Sequence, residues 1–339
     1  PNDDMEAQIA LAVNALGLKC GGGANTERLV KYHAVTELMQ EGVAHDQEAV
    51  ASALVSRVFA YEEPTNAGIP SVGATVELTV PPSGLRLRFK GATPLGTSAG
   101  SGEAIHLVDA MIESAEYREV VARHPDLFRE LEPGVQAFGK GVRAARIKSL
   151  GDENLTALFE RAQRYDGKGC LNAVENVAAV IAPVLVGQDI ATLTLKDIDR
   201  TLLSLELELA RRRGKLEPGA PADRAIEVMQ RKQNLGMNAV LSVSLAMARG
   251  LAHLRGQDLY ELLREETTGI IDPLAAAHGV EVAGGQFADY IAALRAVAAR
   301  LAERGTPLHA ALREFTGIYD HTRAEVGGRP IIAEPAAPA

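Results

Sequence analysis

The sequence has no tryptophan, only 4% aromatic residues and two cysteines, Cys20 and Cys170, in 339 residues. Two cysteines cannot form a disulfide framework, so the chain is expected to fold without cross-links in a reducing compartment. No run of about 18 apolar residues occurs, which argues against a membrane span. The chain has no basic and then apolar leader, which predicts a cytoplasmic location. Basic residues are in deficit, with a formal net charge of −9, and this predicts no nucleic-acid partner.

The residues that are present can build a sizeable core, because 47% of them are hydrophobic and a chain of this length buries most of its apolar surface. The length allows two domains or one large one. Common chemical motifs are missing: there is no phosphate-binding loop, no strand-linked G-x-G-x-x-G, no H-E-x-x-H and no C-x-x-C. Cys20 follows a lysine and could be an activated thiol, but no histidine or second cysteine lies near it in the sequence.

Residues 74–90 carry the clearest strand signal. Residues 74–80 and 85–90 alternate apolar with polar or small side chains, and the turn Pro81–Gly84 separates them, which predicts a β-hairpin. Residues 91–102 follow and are rich in glycine, serine and threonine. Apolar spacing predicts that most of the remaining chain is helical. The predicted helices are 6–18, 26–40, 103–123, 125–131, 152–165, 169–186, 196–212, 221–231, 236–255, 257–265 and 284–304.

Two of these predicted helices resemble one known family. Residues 168–187, KGCLNAVENVAAVIAPVLVG, resemble the "KGVxxAVENVNxxIAPxLxG" helix of the enolases, and residues 235–246, LGMNAVLSVSLA, resemble their "LGANAILGVSLA" helix. In enolases both helices belong to the amino-terminal capping domain, in which a three-stranded sheet precedes the helices. Between the two, residues 194–203 occupy the place of a short family segment, although its "DGT" is missing here.

The glycine- and serine-rich segment falls where enolases have a loop, "VPSGASTG", that closes over the active site. Here it is Thr93–Gly100, followed by Glu103. The resemblance implies that Ser98 binds a second magnesium ion when the loop closes and that Gly96 lies at the substrate. A hydroxyl is a hard oxygen ligand of the kind that Mg²⁺ prefers. The alternative is that the segment is only a flexible exit from the hairpin.

The start of the chain resembles the end of the enolase barrel. Residues 18–32, LKCGGGANTERLVKY, are similar to "IKTGAPxRSERLAKYN". The resemblance implies that Lys19 contacts an anionic substrate at the carboxyl end of the last barrel strand, where barrel active sites lie. An ordinary solvent-facing lysine is the alternative.

The family order is therefore reversed, with a barrel segment before the capping domain. We expect an α+β fold: an enolase-like capping domain with a small antiparallel sheet and a helical bundle, preceded by a detached piece of a (β/α)8 barrel. The predicted divisions are a barrel segment at 1–40, a linker at 41–55, the capping domain at 56–265 with a helical insert near 113–165, a helical extension at 266–325 and a disordered tail at 326–339. Alone, the barrel segment is expected either to pack against the helical domain or to be poorly ordered.

The resemblance implies a magnesium-dependent, glycolytic type of lyase that forms homo-oligomers. Its substrate would be a small anionic phosphorylated carboxylate, and 2-phosphoglycerate is the family default. The acid, base and primary metal ligands of enolases lie in the barrel, so no catalytic residue is expected in this chain. Three interpretations stay open. The barrel lies upstream in a permuted protein, as Pro1 and the mid-barrel start favour; it lies on a separate chain; or the protein is a non-catalytic enolase-like binding or assembly protein.

Overall fold

The computed structural model describes residues 3–13, 15, 18, 26–40, 50–65, 67–94, 103–285, 287–302, 308–313 and 316–317. The chain divides into two compact units, one of residues 48–255 and the other of residues 2–47 together with 256–339. Small antiparallel sheets and many helices give the α+β class that the sequence predicts.

The strands are β1 (Leu54–Pro64), β2 (Pro70–Val80), β3 (Leu85–Ala92), β4 (Ile112–Glu113), β5 (Phe128–Glu132) and β6 (Val135–Phe138). The α-helices are α1 (Met5–Ala12), α2 (Thr26–Gln40), α3 (Arg118–Arg123), α4 (Ala144–Ser149), α5 (Glu153–Ala162), α6 (Leu171–Asn176), α7 (Ala182–Leu185), α8 (Leu195–Arg212), α9 (Ala222–Arg231), α10 (Met237–Leu254), α11 (Leu259–Ala277) and α12 (Phe287–Leu301).

The first sheet has the antiparallel order β1-β2-β3. The predicted hairpin of 74–90 is confirmed, because β2 and β3 pair from Val80 with Leu85 to Gly73 with Ala92. One face of the sheet packs on α10, where Val76 and Leu78 are fully buried. Gly91 permits this close approach, since a Cβ built on it would lie 2.1 Å from the backbone oxygen of Ser242.

Most helix predictions after residue 150 are confirmed. The predicted helix of 169–186 forms as α6, a π-helical turn (Val177–Ile181) and α7. The irregular turn ends two residues before Pro183, which cannot donate the backbone hydrogen bond of a regular helix. The predicted helix of 257–265 continues to residue 277 as α11.

The helices predicted for 103–123 and 125–131 are wrong in large part, so the segment 113–165 is not wholly helical. Only α3 forms in the first range, and β5 replaces most of the second. A second antiparallel sheet has the order β4-β6-β5. Its hairpin turns at Pro133 and Gly134, the latter with a φ of 76°, a conformation that favours glycine. The Pro-Gly pair is a strong turn signal that overrides the local helix propensity.

In the second unit, the amino-terminal helix α1 packs against α11. The backbone N–H of Tyr260 donates to the side-chain oxygen of Gln8 at 3.0 Å. Arg264 donates to the carbonyl oxygens of Leu11, at 2.6 Å, and Ala12, at 3.0 Å, in the last turn of α1. Helix α1 therefore packs within the unit of residues 2–47 and 256–339, and the expectation for the whole barrel segment stays a prediction. The end of the last barrel strand, which the resemblance places at Lys19, lies outside the described residues. None of the helices among the described residues has the length and apolarity needed to cross a membrane.

Candidate functional site

The three residues predicted to bind substrate or metal, Lys19, Gly96 and Ser98, lie outside the described residues. The structure does describe both ends of the glycine- and serine-rich segment, residues 67–94 before it and 103–285 after it. The candidate site is therefore built from the contacts that hold these two ends, which we call the loop anchor: Thr93, Ile105, Leu107, Asn238 and Ser242.

Thr93 is the first end of the anchor and is fully buried. Its hydroxyl donates to the backbone oxygen of Asn238 at 3.0 Å and lies 2.7 Å from the hydroxyl of Ser242. Its backbone carbonyl accepts a hydrogen bond from the hydroxyl of Ser71 at 2.7 Å. The chain leaves β3 through a threonine that is tied to the start of α10 and to β2.

The second end is held by the same turn of α10. The side chain of Asn238 accepts from the backbone N–H of Leu107 at 3.0 Å and donates to the carbonyl oxygen of Leu107, also at 3.0 Å. The backbone N–H of Met237 donates to the carbonyl oxygen of Ile105 at 2.8 Å. A carboxamide has one acceptor and two donors, so it satisfies both backbone groups of one residue at once. Both ends of the segment are thus fixed on the motif that resembles the enolases.

A buried carboxylate supports the segment that leads into α10. Glu206 is fully buried, and its side chain accepts three hydrogen bonds from Asn234 and Leu235, at 2.7 to 2.9 Å. Gly236 follows with a φ of 92°, a backbone conformation that favours glycine. These contacts place Asn238 at the first turn of the helix. Charged acceptors make stronger hydrogen bonds than neutral ones, so Glu206 is a principal support of the anchor.

A cluster of charges ties β1 to the residues that follow the anchor. Arg164 donates to Glu62 at 3.0 Å and to Asp109 at 2.9 Å. Glu62 also accepts from the backbone N–H of Cys170 at 2.7 Å, and Asp109 accepts from the backbone N–H of Asn172 at 2.9 Å. The sequence did not reveal this cluster, because its members are 55 and 102 residues apart in the chain.

The pKa values of the two carboxyl groups in this cluster are shifted in opposite directions. Burial raises the pKa of Glu62, but the hydrogen bonds from Arg164 and the backbone of Cys170 outweigh it and leave the pKa of Glu62 below its usual value. The carboxyl group of Asp109, whose side chain is fully buried, has a raised pKa, because the cost of burying its charge exceeds the effect of its hydrogen bonds and of Arg161 and Arg164.

Glu62 is therefore expected to contribute stability that disappears in acid. A carboxyl group with a lowered folded pKa stabilises the fold above its unfolded pKa, near 4.5, and this contribution is lost as the pH falls through the folded value. We expect Glu62→Gln to flatten the loss of stability below pH 4.5, measured by urea unfolding across the acid range. Asp109→Asn is the matched control: it should not flatten the curve, since protonation of Asp109 favours the fold. An unchanged acid profile in Glu62→Gln would contradict this assignment.

Cys170 is fully buried, and its sulfur lies 3.6 Å from Nε2 of His106. Burial, and then the negative charges of Asp109 and Glu62, raise the pKa of the Cys170 thiol to about 12. Burial also lowers the pKa of His106, so the neighbouring imidazole is neutral at pH 7 and does not stabilise a thiolate. Cys170 is a structural residue. The other cysteine, Cys20, lies outside the described residues.

We expect Cys170 to resist alkylation in the folded protein. The thiolate is the reactive form, and at pH 8 a thiol with a pKa near 12 is almost wholly protonated. Iodoacetamide followed by peptide mass spectrometry should leave Cys170 unmodified in buffer and modify it fully in denaturant. Rapid modification of Cys170 in buffer, at the rate seen in denaturant, would show that the site is open.

The described residues do not form a magnesium site by themselves. Within the ranges that the structure covers, no group of three or more histidine, cysteine, aspartate or glutamate side chains could hold a metal ion. The most buried carboxylates there, Asp109 and Glu206, already accept hydrogen bonds from several donors.

Comparison with known proteins finds a partial similarity to the enolases, the family that the motifs resemble. The chain is 35% identical over 115 residues to the enolase of Methanothrix thermoacetophila, a match that covers 34% of this chain and 22% of that enolase. It is 34% identical over 115 residues to the enolase of Thermococcus kodakarensis, covering 34% and 21%. It is 32% identical over 136 residues to the enolase of Methanococcus vannielii, covering 39% and 26%.

The similarity to enolases therefore covers only part of this chain, 34% to 39% of its length. The match covers 21% to 26% of the length of these curated enolases. No family model matches the chain.

Proposed function

We propose that this chain, which resembles the enolases over about a third of its length, forms the capping part of an enolase-like lyase. The reaction is the magnesium-dependent dehydration of a small phosphorylated carboxylate such as 2-phosphoglycerate to phosphoenolpyruvate. The observation that carries the proposal is the loop anchor, because Asn238 and Ser242 belong to the enolase-like motif and hold both ends of the glycine- and serine-rich segment. Loops that close over a reaction need fixed ends on a rigid element.

The roles within this chain follow from residue chemistry. The ammonium group of Lys19 binds the anionic carboxylate or phosphate of the substrate. Gly96 and Ser98 lie at the closing segment, where glycine permits close approach to the substrate and the serine hydroxyl adds an oxygen ligand to a metal ion. Mg²⁺ would neutralise the charge that develops when a proton is removed next to a carboxylate. The residue that removes the proton belongs to the barrel.

The proposal includes a barrel that is supplied upstream or by a separate chain, and a homo-oligomeric, cytoplasmic protein. Residues 1–40 are proposed as the last segment of that barrel. In the competing function, a non-catalytic enolase-like binding or assembly protein, the same fold would bind a partner without turnover. The two functions differ in one measurable property, which is conversion of substrate by the chain together with its barrel.

Lys19→Ala in the protein that includes the barrel is expected to lower kcat/KM for 2-phosphoglycerate by at least about 100-fold, since a charged hydrogen bond to the substrate contributes about 3 kcal/mol. Ser98→Ala is expected to lower kcat and to raise the magnesium concentration needed for half-maximal activity. Turnover is followed by the ultraviolet absorbance of the enol product. Lys140→Ala, at an exposed loop position of the same charge type, is the control and should keep full activity. Full activity in both Lys19→Ala and Ser98→Ala would contradict the roles proposed for these two residues.

A further inference from the structure

The β1-β2-β3 sheet has a second face, on the side away from α10, which we call the outer sheet face. The register places Arg57, Glu77 and Arg88 in one row across the three strands. Phe59, Thr75 and Lys90 form the next row, and Tyr61 and Gly73 lie beside them. Successive side chains of a strand point to opposite faces, so alternate residues share a face. These rows therefore lie on the outer sheet face, whereas Val58 and Val76 lie on the opposite face of the sheet.

Positive charge is concentrated on this face. Arg57, Arg86 and Lys90 are exposed, and none of them has a carboxylate partner in the part of the chain that the structure describes. Arg88 forms an ion pair with Glu77 at 2.8 Å, yet 71% of the Arg88 side chain remains exposed. Arg57 on β1 and Arg86 and Lys90 on β3 outnumber the one further carboxylate of this face, Glu63 at the end of β1. They create a local positive potential that the net charge of −9 of the whole chain conceals.

Two aromatic rings lie among these cations. Phe59 and Tyr61 occupy alternate positions of β1 with ring centroids 6.5 Å apart. The Tyr61 ring lies on the backbone of β2, since a Cβ built on Gly73 would be 2.7 Å from it. The guanidinium of Arg57 is 4.5 Å from the Phe59 ring centroid, and the ammonium of Lys90 is 5.9 Å from that of Tyr61. The Tyr61 ring is therefore supported by the backbone of β2, and a cation lies over each of the two rings.

We propose that the outer sheet face binds single-stranded nucleic acid. Sheet-borne aromatic rings stack on unpaired bases, while neighbouring arginine and lysine side chains contact the phosphates. An acidic protein surface would use the cations but would not require two aromatic rings at alternate positions of one strand, on the same face of the sheet. This proposal does not rest on the proposed lyase, and it departs from the expectation of no nucleic-acid partner, which was drawn from the net charge of the whole chain.

The test is the fluorescence anisotropy of a labelled single-stranded oligouridylate or oligothymidylate titrated with the full chain. Three phosphate contacts predict a slope of about −2 for the logarithm of affinity against the logarithm of salt concentration, or about a 20-fold loss between 50 and 200 mM salt. The triple variant Arg57→Ala, Arg86→Ala, Lys90→Ala should abolish this salt dependence and most of the binding. A matched triple at exposed positions of the second sheet and nearby helices, Arg118→Ala, Arg129→Ala, Lys148→Ala, should bind like the parent.

Phe59→Leu and Tyr61→Leu separate base stacking from charge, because leucine keeps apolar bulk on the sheet and removes the ring. Each is expected to weaken oligonucleotide binding by about tenfold and to leave the binding of heparin, a polyanion without bases, unchanged. No binding of either oligonucleotide at low salt would overturn the proposal. Oligonucleotide binding by Phe59→Leu and Tyr61→Leu equal to that of the parent would also overturn it. The same holds if the parent self-associates and the Arg57, Arg86, Lys90 triple variant does not, because the outer sheet face would then be a contact between copies of the chain.

Discussion

Gly91→Ala is expected to lower the free energy of unfolding of the 48–255 unit by about 3 kcal/mol or more, the upper range for overpacking a well-packed interior. A Cβ at this position would lie 2.1 Å from the backbone oxygen of Ser242 and 2.7 Å from the backbone nitrogen of Ala246. Both are backbone atoms of α10, so no side-chain rotation relieves the clash. The sheet and α10 would have to separate, and urea unfolding followed by circular dichroism measures the cost.

Gly250→Ala is the matched control, because Gly250 lies on α10 at the same interface. Its Cβ would meet only side-chain atoms, the nearest being Phe89 Cδ2 at 3.2 Å. Alanine also has a helix propensity about 1 kcal/mol better than glycine, so the two effects nearly cancel, and we expect a change below about 1 kcal/mol. Equal effects of the two substitutions would show that α10 does not approach β3 as closely as described.

Asn238→Ala is expected to cost about 3 kcal/mol, because it leaves the buried backbone N–H and C=O of Leu107 without partners and each such group costs about 1–3 kcal/mol. The residue is fully buried, so the two groups left unpaired are not exposed to bulk solvent. The substitution should weaken the structure around Leu107 in addition to lowering the free energy of unfolding of the whole unit. Hydrogen exchange of the Leu107 amide should become at least about tenfold faster relative to amides in the middle of α10.

The control for the anchor is Ser244→Ala on the same helix, whose hydroxyl donates to Asp199 at an exposed position at 2.8 Å. A substitution at such a position changes stability by less than about 0.5 kcal/mol. If Asn238→Ala were as mild as Ser244→Ala, the second end of the segment would be held by the backbone pairing of Ile105 and Met237 alone, and Asn238 would have no special part in the anchor.

The sequence predicted those elements whose signal lies within a short stretch. The hairpin of 74–90 is strictly alternating and contains an obvious turn, so β2 and β3 were predictable. Helix α10 has apolar and small residues on every side, as a helix buried all round requires, and its length and motif were both visible. Strands β5 and β6 were missed, because Phe128–Glu132 is rich in Arg, Glu and Leu, residues that favour helices when read in isolation.

The candidate site was predictable only in part. The glycine- and serine-rich segment and the motif of α10 were identified separately, but no sequence pattern connects Thr93 to Asn238, which lies 145 positions later. Asp109 and Glu206 were missed for the same reason. A buried carboxylate becomes recognisable only when the backbone N–H groups that it accepts from are brought to it by the fold, as Glu206 shows with Asn234 and Leu235.

The measurement that tests the account most directly is turnover of 2-phosphoglycerate by the protein that contains both this chain and its barrel, with and without Mg²⁺. The account predicts magnesium-dependent formation of the enol product. It also predicts a kcat at least about tenfold lower in Asn238→Ala than in Ser244→Ala, at a temperature where both variants are folded. A misplaced closing segment would raise the activation barrier by more than about 1.4 kcal/mol. A correctly folded assembly that converts no 2-phosphoglycerate at any magnesium concentration would contradict it.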